Sequence, residues 1–278
     1  MVNTVIVLKF NSTAQKSAAS TAAFFVCFFI SAFSFKEVYF MKVSINTAVF
    51  LDQMNTGHSQ YDVLQELIGK PIDNVEVRGE FFQPASQEAE LDKISELAHQ
   101  NNWGLYYSIP EALFNDGELN SHLTDYIALA QKYGIKNLKI SLGDYGALTE
   151  DTKQLLMQIP TNDVAISVEN EPNDHGEVPK IFNFLDTTNG HFGYTFDSGN
   201  WYWIDQDPQA AMDQLSSKIT VFHLKNIKDR DTTMLDNGDT DWQRLTEKVP
   251  AGVPVFLEYN IPSAKLLDQE IAKVNELL

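Results

Sequence analysis

From Met41 onward, short apolar runs alternate with longer stretches whose apolar residues recur every three or four positions. A continuous apolar run of about four to eight residues is typical of a buried strand, and the longer period is typical of an amphipathic helix. The apolar runs begin about 26 to 34 residues apart, which is the spacing of a repeated strand–helix unit. We therefore predict eight strands, at residues 42–47, 75–82, 104–109, 137–141, 164–168, 193–196, 219–224 and 253–257.

Three of the intervening stretches show the helical period most clearly. Gln87–Gln100 places Leu91 and Leu97 on one face, and residues 119–132 and 263–278 follow the same pattern. Helix starts are indicated where a serine or threonine precedes a polar first turn, because its hydroxyl oxygen accepts a hydrogen bond from a free backbone amide. The residues in such positions are Ser59, Ser86, Thr149 and Thr240.

Eight strand–helix units in one chain predict an α/β fold of the (β/α)₈, or TIM barrel, type. Neither a Gly/Ser-rich linker nor a block of charge divides Met41–Leu278, so we predict that this range forms a single barrel domain. The alternative is a doubly wound open sheet. That fold would call for a phosphate-binding glycine fingerprint after the first strand, and residues 47–57 lack one.

Residues 1–40 form an atypical hydrophobic extension before the barrel. Lys9 and Lys16 precede residues 17–35, a run of nineteen residues without charge. That arrangement is typical of a signal peptide or a short membrane anchor. The alternative is a spurious start, with translation beginning at Met41. We expect a cytoplasmic barrel, with a membrane-anchored or exported protein as the alternative if residues 17–35 act as an anchor or signal.

The charge and the cysteine content narrow the possible partners and ligands. A formal net charge of −18 without a basic stripe argues against nucleic-acid binding, which needs clustered Lys and Arg. The single cysteine, Cys27, allows no intrachain disulfide and no multi-thiolate metal site. A metal in the barrel would therefore be bound by oxygen and imidazole.

Each of four consecutive apolar runs leads to a side chain of a type that binds metals. These side chains are Glu169, Asp197, His223 and Glu258. Active sites of (β/α)₈ barrels lie at the carboxyl ends of the strands, so the four are expected to converge there. Three carboxylates and one imidazole suit one divalent ion: Mn²⁺, Mg²⁺, Zn²⁺ or Co²⁺. Glu171 would face the same way as Glu169 and is the alternative ligand.

The segments around these positions resemble a known family. VENEP, FDSGNW, FHLKN and FLEYN are similar to strand-end motifs of the xylose isomerase-like TIM barrel superfamily, specifically its sugar phosphate isomerase/epimerase group. VEVRGEFF, YSIPEAL and LKISLGD are similar to its strands two to four. The resemblance implies one divalent metal bound by Glu169, Asp197, His223 and Glu258, with the two glutamates also transferring protons. It implies a sugar or sugar-like polyol substrate and an enediolate intermediate, and leaves isomerisation and epimerisation open.

The expected substrate contacts depart from that family in two places. Asn200 stands where related epimerases often have a histidine, and Asp229 stands where they often have an arginine. Lys225 shares a strand face with His223 and is expected to hydrogen-bond a substrate oxyanion. Trp201 is interpreted as either the wall of a sugar pocket or a core residue, and Tyr202 and Trp203 as core.

The polar residues of strands two and four allow a second interpretation. Glu76, Arg78 and Glu80 alternate on one face of the second apolar run. They predict either an ion-paired network inside the barrel or contacts of Arg78 and Glu80 with the substrate. Lys139 on strand four is interpreted as a paired interior cation.

Several functions remain open at this stage. The leading hypothesis is a metal-dependent sugar isomerase or epimerase. A cyclitol or ketose dehydratase would use the same metal chemistry, and a non-catalytic sugar-binding barrel would keep the ligands without turnover. An abasic-site endonuclease is disfavoured by the acidic charge and by only six histidines. A phosphorylated substrate lacks support, because Lys228 and Arg230 have no glycine-rich cradle beside them. The helical exterior would allow a homodimer.

Overall fold

The eight apolar runs form eight parallel strands that close into a barrel. The computed structural model describes residues 41–146, 148–161 and 163–278, so the extension of residues 1–40, with the possible anchor at 17–35, lies outside the described residues. All eight predicted strands are confirmed in position. Their bounds are β1 Ser44–Asn46, β2 Asn74–Arg78, β3 Gly104–Asn115, β4 Ile135–Gly143, β5 Ala165–Glu169, β6 Gly193–Asp197, β7 Val221–Leu224 and β8 Val255–Leu257.

Each strand pairs in parallel with its neighbours in the chain. The barrel closes where β1 pairs with β8, with Ser44 opposite Phe256. Closure removes both sheet edges and brings all carboxyl ends to one rim. The (β/α)₈ fold is therefore confirmed for the part of the chain that the structure describes, and the open-sheet alternative is excluded.

Helices occupy the stretches between the strands. The amphipathic stretch at Gln87–Gln100 is helical over its full predicted length, whereas the predicted helix at 119–132 begins later, at Leu123. The bounds are α1 Leu51–Asn55, α2 Gln60–Leu64, α3 Gln87–Gln100, α4 Leu123–Tyr133, α5 Glu150–Gln158, α6 Val178–Thr187, α7 Pro208–Leu215, α8 Trp242–Glu247 and α9 Ala264–Asn275.

Two of the four predicted helix caps are confirmed by hydrogen bonds. Ser59 forms a capping box with Asp62, and the Thr149 side chain accepts a hydrogen bond from the amide of Thr152. Ser86 precedes α3 but its side chain makes no capping hydrogen bond. The prediction for Thr240 was wrong by one residue, because the Asp241 carboxylate caps α8 instead.

Two strand ends differ from the sequence prediction. The second strand stops at Arg78, and Gly79–Phe81 turns into a 3₁₀ helix. A Cβ on Gly79 would lie 2.5 Å from Pro110 Cδ, so the close approach of β3 requires glycine there. The third strand runs past Ile109 to Asn115, where the short strand Glu118–Leu119 pairs with its end.

The core lies between the strands and the surrounding helices, where Val, Ile, Leu and Phe side chains are buried. The inside of the barrel is different, because buried polar side chains on neighbouring strands hydrogen-bond in pairs, Asn46 with Glu76 and Asn137 with Ser167. Among the residues described here, no helix combines the length and the apolar character needed to cross a membrane.

Candidate active site

Four buried side chains converge at the carboxyl-terminal rim of the barrel. Glu169 and Asp197 are the last residues of β5 and β6, His223 lies in β7, and Glu258 directly follows β8. One ligand atom from each lies within 4.8 Å of the ligand atoms of the other three. In-register pairing explains this proximity, since Asp197 lies opposite His223 on the neighbouring strand. The structure therefore brings together the four residues that the strand ends predicted.

His223 lies at the centre of this cluster and contacts carboxylates through both ring nitrogens. Its Nδ1 is 3.1 Å from Glu169 Oε1 and 3.1 Å from Glu258 Oε2. Its Nε2 is 3.2 Å from Glu76 Oε1. Burial alone would lower the pKa of His223, but the Glu258 and Glu76 carboxylates raise it well above its usual value. Without a metal, this imidazole is therefore held as the imidazolium.

Three cations neutralise the carboxylates of the cluster. Lys139 Nζ donates a hydrogen bond of 2.7 Å to Glu169 Oε2. Lys225 Nζ lies 2.6 Å from Asp197 Oδ2 and 3.1 Å from Glu258 Oε2. Arg78 reaches the cluster from β2 and lies 3.2 Å from Glu258 Oε1. Buried charges require such partners, because an unpaired buried carboxylate would take up a proton instead.

The pKa values of the three carboxylates diverge. Burial raises the pKa of each, but Lys139 outweighs it at Glu169 and lowers that pKa to about 2. Lys225 and His223 likewise lower the pKa of Glu258 well below its usual value. At Asp197, burial and the two glutamates outweigh Lys225, and the pKa rises to about 6. Both glutamates are therefore ionised at neutral pH and able to accept a proton.

Backbone amides hold Asp197 in position. Its Oδ1 accepts hydrogen bonds from Gly199 N at 2.8 Å and from Asn200 N at 2.9 Å. Its Oδ2 is buried without a hydrogen-bond partner among the described residues, since Lys225 Nζ is close but lacks hydrogen-bond geometry. One oxygen is thus fixed by the loop and the other faces the cluster.

The cluster fits a divalent metal ion. Glu258 Oε2, like Asp197 Oδ2, is a buried oxygen without a hydrogen-bond partner in the described part of the chain. Three carboxylates and an imidazole are hard donors of the type that Mn²⁺, Mg²⁺, Zn²⁺ and Co²⁺ bind. Within the described ranges, this is the group of side chains with the burial and spacing to hold such an ion.

A cavity of about 730 Å³ opens above the cluster. This volume is large enough for a small-molecule ligand. Three of the predicted substrate-binding residues, Arg78, Lys225 and Asn200, line it together with Lys139. The Asn200 side chain donates a hydrogen bond of 2.8 Å to the carbonyl of Asn170 and closes one wall.

Two other residues are placed differently from their predicted positions. Trp201 has no exposed surface and packs against Phe196, so the pocket-wall interpretation is corrected and Trp201 is a core residue. Trp203, interpreted as core, is instead 37% exposed because the 3₁₀ turn at Asn200–Ile204 points it outward. Glu171 lines the cavity outside the four-residue cluster, and its Oε2 accepts a hydrogen bond from Gly143 N at 2.8 Å.

Sequence reasoning missed two asparagines that support the site. Asn46, at the end of β1, donates to Glu76 Oε1 at 2.5 Å and lies 3.3 Å from Glu258 Oε1. Asn170 follows Glu169, and its side chain accepts from the amide of Asp197 and donates to its carbonyl. A polar residue that ends an apolar run was the available signal for both positions. The ion-paired network predicted for Glu76 is present in the barrel.

The (β/α)₈ fold of the chain is similar to that of several solved structures. No family model and no curated protein matches the chain by sequence. Among solved structures, D-psicose 3-epimerase from Clostridium cellulolyticum H10 with D-tagatose is 12% identical with a TM-score of 0.59, covering 85% of this chain and 98% of that one. Other similar structures are described as xylose isomerase domain proteins.

Two further similar structures differ from the epimerase in their descriptions. The IolI protein with a bound zinc atom is 15% identical with a TM-score of 0.61, covering 85% of this chain and 96% of that one. The probable 3-DHS dehydratase AsbF from Bacillus anthracis is 15% identical with a TM-score of 0.63, covering 84% of this chain and 98% of that one. At these identities the likeness shows the fold, and the expected resemblance is confirmed at that level.

Proposed function

We propose that the chain is a divalent metal-dependent isomerase or epimerase of a sugar or sugar-like polyol. The observation that carries the proposal is the buried cluster of Glu169, Asp197, His223 and Glu258, whose ligand atoms lie within 4.8 Å of one another under an open cavity. These four residues would hold one metal ion. A bound metal would polarise the substrate carbonyl and stabilise negative charge on its oxygen.

Proton transfer is assigned to the two glutamates. Both are ionised at neutral pH, so either can remove the proton from the carbon next to the carbonyl. Removal gives an enediolate. Inversion of that carbon follows when the other glutamate takes up a proton from water and delivers it to the opposite face, while the first glutamate releases its proton to water. Return to the neighbouring carbon isomerises the sugar instead. Lys139 and Lys225 line the same cavity and would stabilise the oxyanion.

Deuterium exchange tests this reaction class before the substrate is known. The full chain would be incubated in D₂O with each candidate metal and a panel of ketoses, aldoses and keto forms of cyclitols, and the reaction would be followed by NMR. We expect deuterium at the carbon next to the carbonyl, because the abstracted proton exchanges with solvent. Glu258→Gln should abolish the exchange, whereas Glu66→Gln, an exposed matched control, should not change it. Full exchange by Glu258→Gln would refute the assigned role.

A dehydratase is the second candidate. The structural similarity to AsbF favours it, because the loss of water next to a carbonyl begins with the same proton abstraction. In the D₂O assay a dehydratase would give a product with a new carbon–carbon double bond. Ligand binding without either exchange or water loss would point instead to a sugar-binding barrel.

A further inference from the structure

Glu76 is a fully buried carboxylate that the proposed reaction does not use. It lies in β2 and is buried beside His223 of the four-residue cluster. Its Oε1 accepts a hydrogen bond of 2.5 Å from Asn46 Nδ2 and lies 3.2 Å from His223 Nε2. Among the described residues, its Oε2 has no hydrogen-bond partner. Burying a carboxylate oxygen without a hydrogen-bond partner costs folding free energy, so a role for Glu76 is expected.

Glu76 faces His223, which also has a buried polar atom that lacks a well-formed hydrogen bond within the described residues. His223 Nε2 is also buried without a hydrogen bond of good geometry within the described part of the chain, although Glu76 is at ion-pair distance. The other ring nitrogen, Nδ1, faces Glu169 and Glu258. A neutral imidazole that binds a metal through Nδ1 must carry its proton on Nε2, and an acceptor beside Nε2 stabilises that tautomer.

We propose that Glu76 is a positioning residue that holds the Nε2–H tautomer of His223 and so presents the Nδ1 lone pair to the metal. The proposal rests on the proposed metal site. Asn46 extends the arrangement, because its amide contacts Glu76 Oε1 and lies 3.3 Å from Glu258 Oε1. Asn46 therefore links Glu76, the acceptor for His223, to Glu258, so that His223 and Glu258 are oriented together.

Metal affinity provides the first test. The Kd of the full chain for Zn²⁺ would be measured by chelator competition for the wild type, Glu76→Gln and Glu76→Met. Loss of a group that orients a metal-binding histidine typically weakens affinity about 10- to 100-fold. We expect a loss near the lower end for Glu76→Gln, which keeps an acceptor oxygen, and near the upper end for Glu76→Met. Glu118→Gln removes an exposed carboxylate as a matched control and should leave the Kd unchanged.

The tautomer of His223 provides a readout that simple destabilisation would not change. With ¹⁵N-labelled histidine and Zn²⁺, which is diamagnetic, the wild type should show a protonated Nε2 and a metal-bound Nδ1. In Glu76→Met the Nε2 proton should exchange faster with water and its ¹⁵N resonance should shift. Circular dichroism establishes that each variant is folded, and the isosteric Glu76→Gln keeps the test valid if Glu76→Met does not fold.

The outcomes separate the two proposals. Wild-type affinity and an unchanged Nε2 resonance in both Glu76 variants would overturn the role of Glu76 and leave the metal site intact. A wild-type chain that binds none of Zn²⁺, Mn²⁺, Mg²⁺ and Co²⁺ would overturn the metal site, and the role of Glu76 with it.

Discussion

Replacing Lys139 with methionine should destabilise the metal-free barrel, because it leaves Glu169 buried without its main counter-ion. Their side chains are only 7% and 8% exposed, and the Nζ–Oε2 distance is 2.7 Å. Lowering the pKa of Glu169 from 4.5 to about 2 corresponds to about 3 kcal/mol of folding free energy. Breaking one side of a buried ion pair typically costs about 3–5 kcal/mol. We therefore expect Lys139→Met to lose about 3 kcal/mol at neutral pH.

The pH dependence distinguishes this cause from a general packing defect. A carboxylate with a depressed folded-state pKa stabilises the fold above its ordinary pKa of 4.5, and this stabilisation is lost as the pH falls toward about 2. The difference between wild type and Lys139→Met should therefore be largest at neutral pH and shrink across that window. Urea unfolding in the presence of a chelator, monitored by circular dichroism, measures it.

Two control variants test the expected loss of stability in Lys139→Met. Lys136→Met removes the same charge from an exposed position on the same strand, and its cost should stay within about 0.5 kcal/mol. The double variant Lys139→Met/Glu169→Met replaces the buried pair with apolar groups and should recover most of the loss. Equal stability of Lys139→Met and Lys136→Met at neutral pH would show that Glu169 does not depend on Lys139.

Three further predictions concern the metal affinity of the cluster and the backbone at Gly143. The raised pKa of His223 keeps a proton on Nδ1, and metal binding must displace it. Below that pKa, the metal affinity should therefore increase about tenfold for each unit by which the pH is raised. Calorimetry in two buffers would measure the released proton. Lys225→Met should tighten Zn²⁺ affinity at least about tenfold, because a cation beside two ligand carboxylates competes with the ion; an unchanged Kd would contradict this. Gly143→Ala should cost more than about 1 kcal/mol in urea unfolding, since its φ is +76° and a Cβ would lie 2.1 Å from Phe114 O. Gly252→Ala, with φ of +86° and open space around it, isolates the cost of φ alone.

The predictable part of the molecule was the part encoded locally. Each strand is an apolar run, and each of Glu169, Asp197 and Glu258 follows its run directly, so the periodicity located both the barrel and the cluster. The predicted strand ends were wrong where tertiary contacts determine where a strand ends. The second strand ends at Arg78, and the next residue, Gly79, packs closely against Pro110; no pattern within residues 75–82 carries that information.

The support for the cluster was not predictable because it depends on barrel closure. Asn46, Glu76 and His223 lie on strands one, two and seven, and they meet only because β1 pairs with β8. Trp201 was ambiguous for a related reason. An aromatic residue after a strand lines a pocket or fills the core depending on the turn that follows, and here the 3₁₀ turn directs it inward against Phe196.

The charges in the barrel bear on what a bound metal would change. Without an ion, the carboxylates of Glu76, Glu169, Asp197 and Glu258 face four cations: the His223 imidazolium, Lys139, Lys225 and Arg78. Arg78 also pairs with Glu80, so five carboxylates face these four cations and one negative charge is in excess. A divalent ion in place of the His223 proton would neutralise that excess. Under the proposed function, Lys139 and Lys225, which pair with the ligand carboxylates, would also stabilise the negative charge that develops on the substrate oxygen.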